Sequence, residues 1–263
     1  MVTVLGIPLD ENSSFMTGAK AAPEAIRKAF HSPSTNYCTE EGLDLSLDKR
    51  WNDAGDLMLS AMPEAIAQIE SAVKNLVESG NKMLCLGGDH SITYPIVKGI
   101  TAAHTNLNIL HIDAHADVYD DFEGNPHSHA SPFARIMEQG LAKRLVQVGI
   151  RTLNPHQRKQ AERFNVELIE MKDWQDALHF TFDGPVYLSV DLDALDPAFA
   201  PGVSHHEPGG FTTRQVISII QNLKANLVGA DIVELNPARD FQGITAMVAA
   251  KLFKEIVSKL LQA

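Results

Sequence analysis

The chain has 263 residues, 44% of them hydrophobic, enough to bury one large core without disulfides or other staples. Its 22 basic and 33 acidic side chains leave a formal charge of -11, so the surface repels nucleic acid and anionic membrane and attracts cations. With only Cys38 and Cys85, no basic N-terminal region and no apolar run near the ~18 residues of a membrane span, neither leader nor span is expected, and the setting reads as cytoplasmic.

In chain order, Val2–Ile7 reads as a buried strand and Pro23–Phe30 as a helix, and the irregular His31–Trp51 reads as a surface loop. In Pro63–Ser79, Ile66, Ile69, Val73 and Leu76 recur at spacings of three or four, with Pro at the first turn and Gly80 beyond the end, which predicts an amphipathic helix. Lys82–Leu86 is an apolar strand closed by Gly87-Gly-Asp-His90, whose glycines allow a sharp turn. Helix Tyr94–Ala103 and strand Asn108–Ile112 follow, the latter running into Asp113-Ala-His-Ala-Asp117. After the loop Tyr119–His129 come helix Ser131–Gln139, strand Arg144–Val148, helix Asn154–Phe164 and strand Pro185–Val190, which ends in Asp191-Leu-Asp193. Helix Thr213–Ala225, strand Leu227–Val233 and helix Thr245–Leu261 complete the chain. Alternating strands and helices predict a single domain over 1–263, an α/β fold of three layers, α-β-α, with a largely parallel sheet. Ligands bind such sheets at the carboxyl ends of the strands.

Three motifs fall at those ends. The period of two in an extended segment aims Asp113, His115 and Asp117 to one side, and Asp191 and Asp193 likewise share a side, while the Gly-Gly turn delivers His90 to the same rim. Taken singly, an Asp-x-Asp or a Gly-Gly-Asp-His also suits a turn or helix cap. Together they place two imidazoles and four carboxylates at one sheet edge, where uncompensated ionisable groups are costly. The mixed set suits Mn²⁺, with Ni²⁺ or Co²⁺ possible by exchange. Four aspartates balance two divalent ions, and a hydroxide bridging the pair would leave the centre slightly negative and receptive to a cationic substrate. Glu234, at the end of strand Leu227–Val233, and Glu207, in a Gly-Pro-rich segment, are further acids able to face that rim.

Gly87-Gly-Asp-His-Ser91, Asp113-Ala-His-Ala-Asp117, Ser189-Val-Asp-Leu-Asp-Ala-Leu-Asp-Pro197 and Asp231-Ile-Val-Glu-Leu-Asn-Pro237 together resemble the signatures of the ureohydrolase family, the arginases and agmatinases, in order and spacing. Tyr119-Asp-Asp-Phe-Glu-Gly-Asn125, Ser128-His-Ala-Ser131 and Gly202-Val-Ser-His205 with Glu207-Pro-Gly-Gly210 look most like the plant-type arginases, also described as agmatinase-like. The resemblance implies an arginase-like fold and two Mn²⁺ ions, one on His90 and Asp117, the other on His115 and Asp193, with Asp113 and Asp191 bridging. It implies that the pair acidifies a water into a hydroxide that attacks a guanidinium carbon. Glu234 matches the acid that orients the guanidinium, Asp117 the group that passes a proton to the leaving amine, and His129 the proton-shuttle histidine, a task suited to an imidazole titrating near neutral pH. Where animal-type arginases hold the amino-acid end of the substrate, this chain departs: Tyr119 stands in place of an Asn, and Arg151-Thr-Leu-Asn154 lacks a pair of acids. Asp120, Asp121, Asn125, Ser128, His205 and Glu207 are left as candidate contacts for the far end of the substrate.

The expected substrate is therefore a small cationic guanidino compound: L-arginine first, giving ornithine and urea, with agmatine and other guanidino compounds as alternatives. A mononuclear zinc deacetylase would not need the double ligand set, and a silent scaffold would not need Glu234 and His129 as well. A homo-oligomer, trimer or hexamer, is what the resemblance implies.

Overall fold

A computed structural model of the chain describes residues 1–262. Eight strands form one sheet: β1 (Val2–Gly6), β2 (Trp51–Asp56), β3 (Lys82–Leu86), β4 (Asn108–Ile112), β5 (Arg144–Ile150), β6 (Glu167–Glu170), β7 (Thr181–Asp191) and β8 (Lys224–Val233). Their order is β2-β1-β3-β8-β7-β4-β5-β6, and every pairing is parallel. Among the described residues seven α-helices cover it: α1 (Ala22–Phe30), α2 (Glu64–Glu78), α3 (Thr93–Ile100), α4 (Pro132–Glu138), α5 (Pro155–Arg163), α6 (Thr213–Asn222) and α7 (Ile244–Gln262).

Alternation along the strands divides the core between the two faces. Leu84, Leu86, Leu110, Ile112, Leu188 and Val190 pack with the buried sides of α1, α6 and α7. Met83, Cys85, Ile109 and Tyr187 point the other way, against α2, α3 and α4. The three-layer α-β-α architecture expected from the alternating pattern is the one observed.

Two edge strands escape the apolar-run criterion. β2 (WNDAGD) extends the segment read as a loop, pairing alongside β1, and β6 (ELIE) closes the opposite edge. The stretch before β2 is also more anchored than a free surface loop: Leu45 is fully buried, and the Trp51 indole donates to its carbonyl. The helix expected to run to Ala225 stops at Asn222, because Lys224 already belongs to β8.

Register levels the central strands. Leu86 pairs with Ile232, Ile232 with Val190, and Val190 with Ile112, so β3, β8, β7 and β4 end side by side. The chain lays down β4, β5 and β6 outward and then returns to insert β7 and β8 between β3 and β4, so the residues just past these four ends face one crevice.

Candidate metal centre and cleft

Each motif is delivered by the end of one of those strands. At β3, a side-chain carbon on Gly88 would lie 1.7 Å from the Leu9 carbonyl oxygen, so only glycine lets the turn pass the segment after β1. Asp89 then caps the short 3-10 turn that begins at His90, accepting from the Ser91 backbone N–H. Its other oxygen accepts from the Asn12 N–H and the Ser13 hydroxyl, tying the loop after β1 to the site. Asp117 and Glu234 both have left-handed backbones, at φ 49° and 66°. Such conformations cost non-glycine residues about 1–3 kcal/mol and concentrate at functional sites.

The side chains converge on His90. Its Nδ1 is buried without a hydrogen-bond partner, although Asp117 Oδ2 and Asp191 Oδ2 stand 3.1 Å away and Asp113 Oδ2 stands 3.2 Å away. His115 Nδ1 lies 3.1 Å from Asp193 Oδ2 and 3.5 Å from Asp113 Oδ1. Asp113 therefore shows one oxygen to each imidazole. Behind the ring, His90 Nε2 lies 2.9 Å from the Ser189 hydroxyl, which donates to Asp231. Because that hydroxyl's own hydrogen goes to Asp231, it accepts from His90 Nε2–H, and Nδ1 is the nitrogen left among the carboxylates to take up a proton or a metal ion.

The electrostatics are those of a site short of positive charge. Burial, reinforced by Asp193 and Asp113, pushes the Asp191 carboxyl well above its ordinary range. Burial and Asp113 bring Asp193 up to about 6 despite His115. Burial opposes a charge on His90, but Asp113, Asp117 and Asp191 outweigh it and drive its pKa well up. Without another cation this cluster takes up protons; hard or borderline divalent ions would satisfy the same oxygens and the unpartnered nitrogen. The donor set thus fits a metal pair.

Beside the cluster opens a cleft of about 200 Å³, lined by His115, Asp117, Asp191, Asp193, Glu234, His129, His205 and Glu207, with Ser14, Tyr119, Phe122 and Gln157 among its other walls. Among the described residues neither Lys nor Arg lines it. A similar cleft of about 230 Å³ between Trp174, Phe180, Arg214 and Ile219 gathers no comparable set of ligating groups. Glu234 Oε1 accepts from the His90 backbone N–H at 2.9 Å and lies 2.8 Å from His129 Nδ1. Burial works to lower the His129 pKa, but Glu234 overcomes it and carries it up to about 9. His129 Nε2 meets the Ser14 hydroxyl at 2.8 Å.

Of the candidate far-end contacts, His205 and Glu207 reach the cleft. Glu207 Oε1 stands 3.8 Å from His115 Nε2, and His205 packs against His129 and Phe15. Asn125 and Ser128 do not line it: the Asn125 amide donates to Asn12, and Ser128 is buried in the loop that carries His129. Asp120 and Asp121 are likewise outside the walls, with Asp120 paired to His156. Asn154 caps α5 in a capping box with Gln157 and donates to the Tyr119 hydroxyl, fixing one wall.

Sequence reasoning missed the supporting groups Asp89, His111, Ser189 and Asp231. His111 had a readable signal, since it precedes Asp113 by two and so shares its side of β4.

The fold and this donor set define a class: an α/β protein with a carboxylate-rich candidate cation site at the carboxyl ends of a parallel sheet. A model of the Arginase family matches residues 1–258, and the chain belongs to that family. It is 47% identical to "Arginase 1, mitochondrial" of Arabidopsis thaliana, over 98% of this chain and 80% of that protein. A solved structure, "Arginase from Medicago truncatula", superposes with a TM-score of 0.92 at 43% identity, covering 98% of this chain and 87% of the other. The human "Guanidino acid hydrolase, mitochondrial" is 35% identical over 97% of this chain and 77% of its own length. Several of the plant arginases it matches are named as mitochondrial or chloroplastic, which overturns the expectation of a cytoplasmic protein. Among the described residues no helix is long and apolar enough to cross a membrane.

Proposed function

We propose that residues 1–263 form one domain that holds two divalent ions, Mn²⁺ by preference, and hydrolyses L-arginine to L-ornithine and urea. The observation that carries this is the convergence of three carboxylates on the unpartnered His90 Nδ1, beside a cleft that ends in Glu234. His90 and Asp117 would hold one ion, His115 and Asp193 the other, and Asp113 and Asp191 would span the pair. When bound, such a pair supplies hydroxide near neutral pH.

The chain's own residues do the rest. Glu234, deep in the cleft, receives the guanidinium and sets its angle of approach. That cation then shares a carboxylate with His129, and the added positive charge pulls the His129 pKa down from about 9. His129 is thereby readied to pass its proton toward the leaving amine, with Asp117 as the nearer acid. His205 and Glu207 face the far end of the substrate, while Asn125 and Ser128 act through the loop they order around His129. The assembly is read as a homo-oligomer, a trimer or hexamer.

Agmatine is the second reading, favoured by one specific observation: no Lys or Arg among the residues lining the cleft is placed to meet a substrate carboxylate. Incubating the Mn²⁺-loaded protein with arginine, agmatine, 4-guanidinobutyrate and formiminoglutamate decides among substrates. Urea from arginine is expected. Urea from agmatine alone would move the assignment to the second reading, and no urea or formamide from any of them, with metal bound, would overturn both.

A further inference from the structure

His111 is a fully buried imidazole in β4 that none of the roles above uses. Distance alone would enrol it as a metal ligand, because nitrogen and oxygen atoms of His90, His111 and Asp113 lie within 4.8 Å of one another. Its hydrogen bonds say otherwise. Gln147 Nε2 lies 2.6 Å from the Ala116 carbonyl oxygen, which can only accept, so the amide atom at that position is the NH2 group. The same NH2 lies 3.0 Å from His111 Nδ1 and has only hydrogens to offer, so Nδ1 is the unprotonated ring nitrogen. The ring proton of the neutral imidazole then sits on Nε2, 2.7 Å from Asp113 Oδ2. Neither nitrogen keeps a free lone pair.

The ring cannot turn away from this arrangement. Phe133 lies tilted against it at 4.0 Å between centroids, and His90 meets it edge to face at 4.9 Å. Asp113 is consequently held at both oxygens, Oδ2 by His111 and Oδ1 by the backbone N–H of His115 at 2.6 Å.

We propose that His111 is a positioning residue: Gln147 fixes it as the Nε2–H tautomer, which keeps it off the metals and aims the Asp113 carboxylate between His90 and His115. This rests on the reading of Asp113 as a ligand, and it adds a group outside that ligand set. Outer donors of this kind typically change metal affinity by about 10–100-fold.

Ring-nitrogen NMR of the full chain, metal-free and loaded with diamagnetic Zn²⁺, reads the tautomer directly. A protonated Nε2 and an unprotonated Nδ1 in both states are expected; an Nε2 that carries no proton, or moves to a metal-bound shift, would overturn the proposal. In His111→Phe, which keeps a ring of similar size, both ions should still bind at saturation, with affinity about 10–100-fold weaker by chelator competition. Loss of an ion at saturation would make His111 a ligand, and unchanged affinity would make it mere packing; either sinks the proposal. Should that variant not fold, Gln147→Leu leaves the imidazole in place and should also weaken metal affinity, and no change would count against it. A wild-type protein that binds no metal would instead refute the ligand reading, while the metal-free tautomer still judges the Gln147–His111 relay.

Discussion

Glu234 and His129 form a buried ion pair whose proton sits where a substrate cation would arrive. Folding raises the His129 pKa from an ordinary value near 6.5 to about 9, so in the metal-free protein its protonation stabilises the fold fully below pH ~6.5. That contribution fades as pH rises through about 9. In Glu234→Gln the raising charge is gone while burial remains, so an NMR titration should find the His129 pKa well below 9; a value still near 9 would mean that Glu234 is not its cause. The same variant should keep its metals and lose on the order of 10²-fold in kcat, as a misplaced substrate does. Residues such as Asp113, His115, Asp191 and Asp193 were legible because a strand's period of two shows which side chains share a side. Asp89, Ser189 and Asp231 were not, because a buried acid's partners come from distant segments: Asp231 takes its donors from Thr93, Tyr187 and Ser189.

Elements were legible in proportion to the apolar surface they bury. The strands β3, β4 and β8 are buried on both faces and read as continuous apolar runs, whereas β2 and β6 sit at sheet edges, half in water, and carry polar residues at half of their positions. The C-terminal helix α7 depends on a polar tie that periodicity cannot show. Glu255 accepts from Lys251, from the Gln221 amide of α6 and from the Glu40 backbone N–H in the segment before β2. Burial works to raise its pKa, but these donors hold it below the ordinary carboxylate value. Because folding depresses this pKa, the stabilisation is present above pH ~4.5 and is lost as pH falls through the folded value. Glu255→Gln should therefore cost about 1–3 kcal/mol at neutral pH and flatten the acid limb of a denaturation profile. An acid limb as steep as wild type would show that the tie contributes nothing.

Across the whole molecule, the parallel sheet assembles one site from four segments that are remote in sequence but level in register. The acidic surface, at a net -11, favours the approach of metal ions and cationic substrates. Binding of metal to the folded chain alone should also stabilise it, by about 2.7 kcal/mol at a hundredfold excess over Kd. The fold was legible from strand and helix alternation, whereas the cellular setting was not, since composition and cysteine count do not encode a compartment. Two metals sharing Asp113 and Asp191 are the centre of the proposed chemistry, and electron paramagnetic resonance of Mn²⁺ titrated into the protein measures that sharing directly. Two ions per chain with a spin-coupled spectrum are predicted, with Asp193→Ala binding one ion or none. A single ion per chain, or two that give only uncoupled signals, would contradict it.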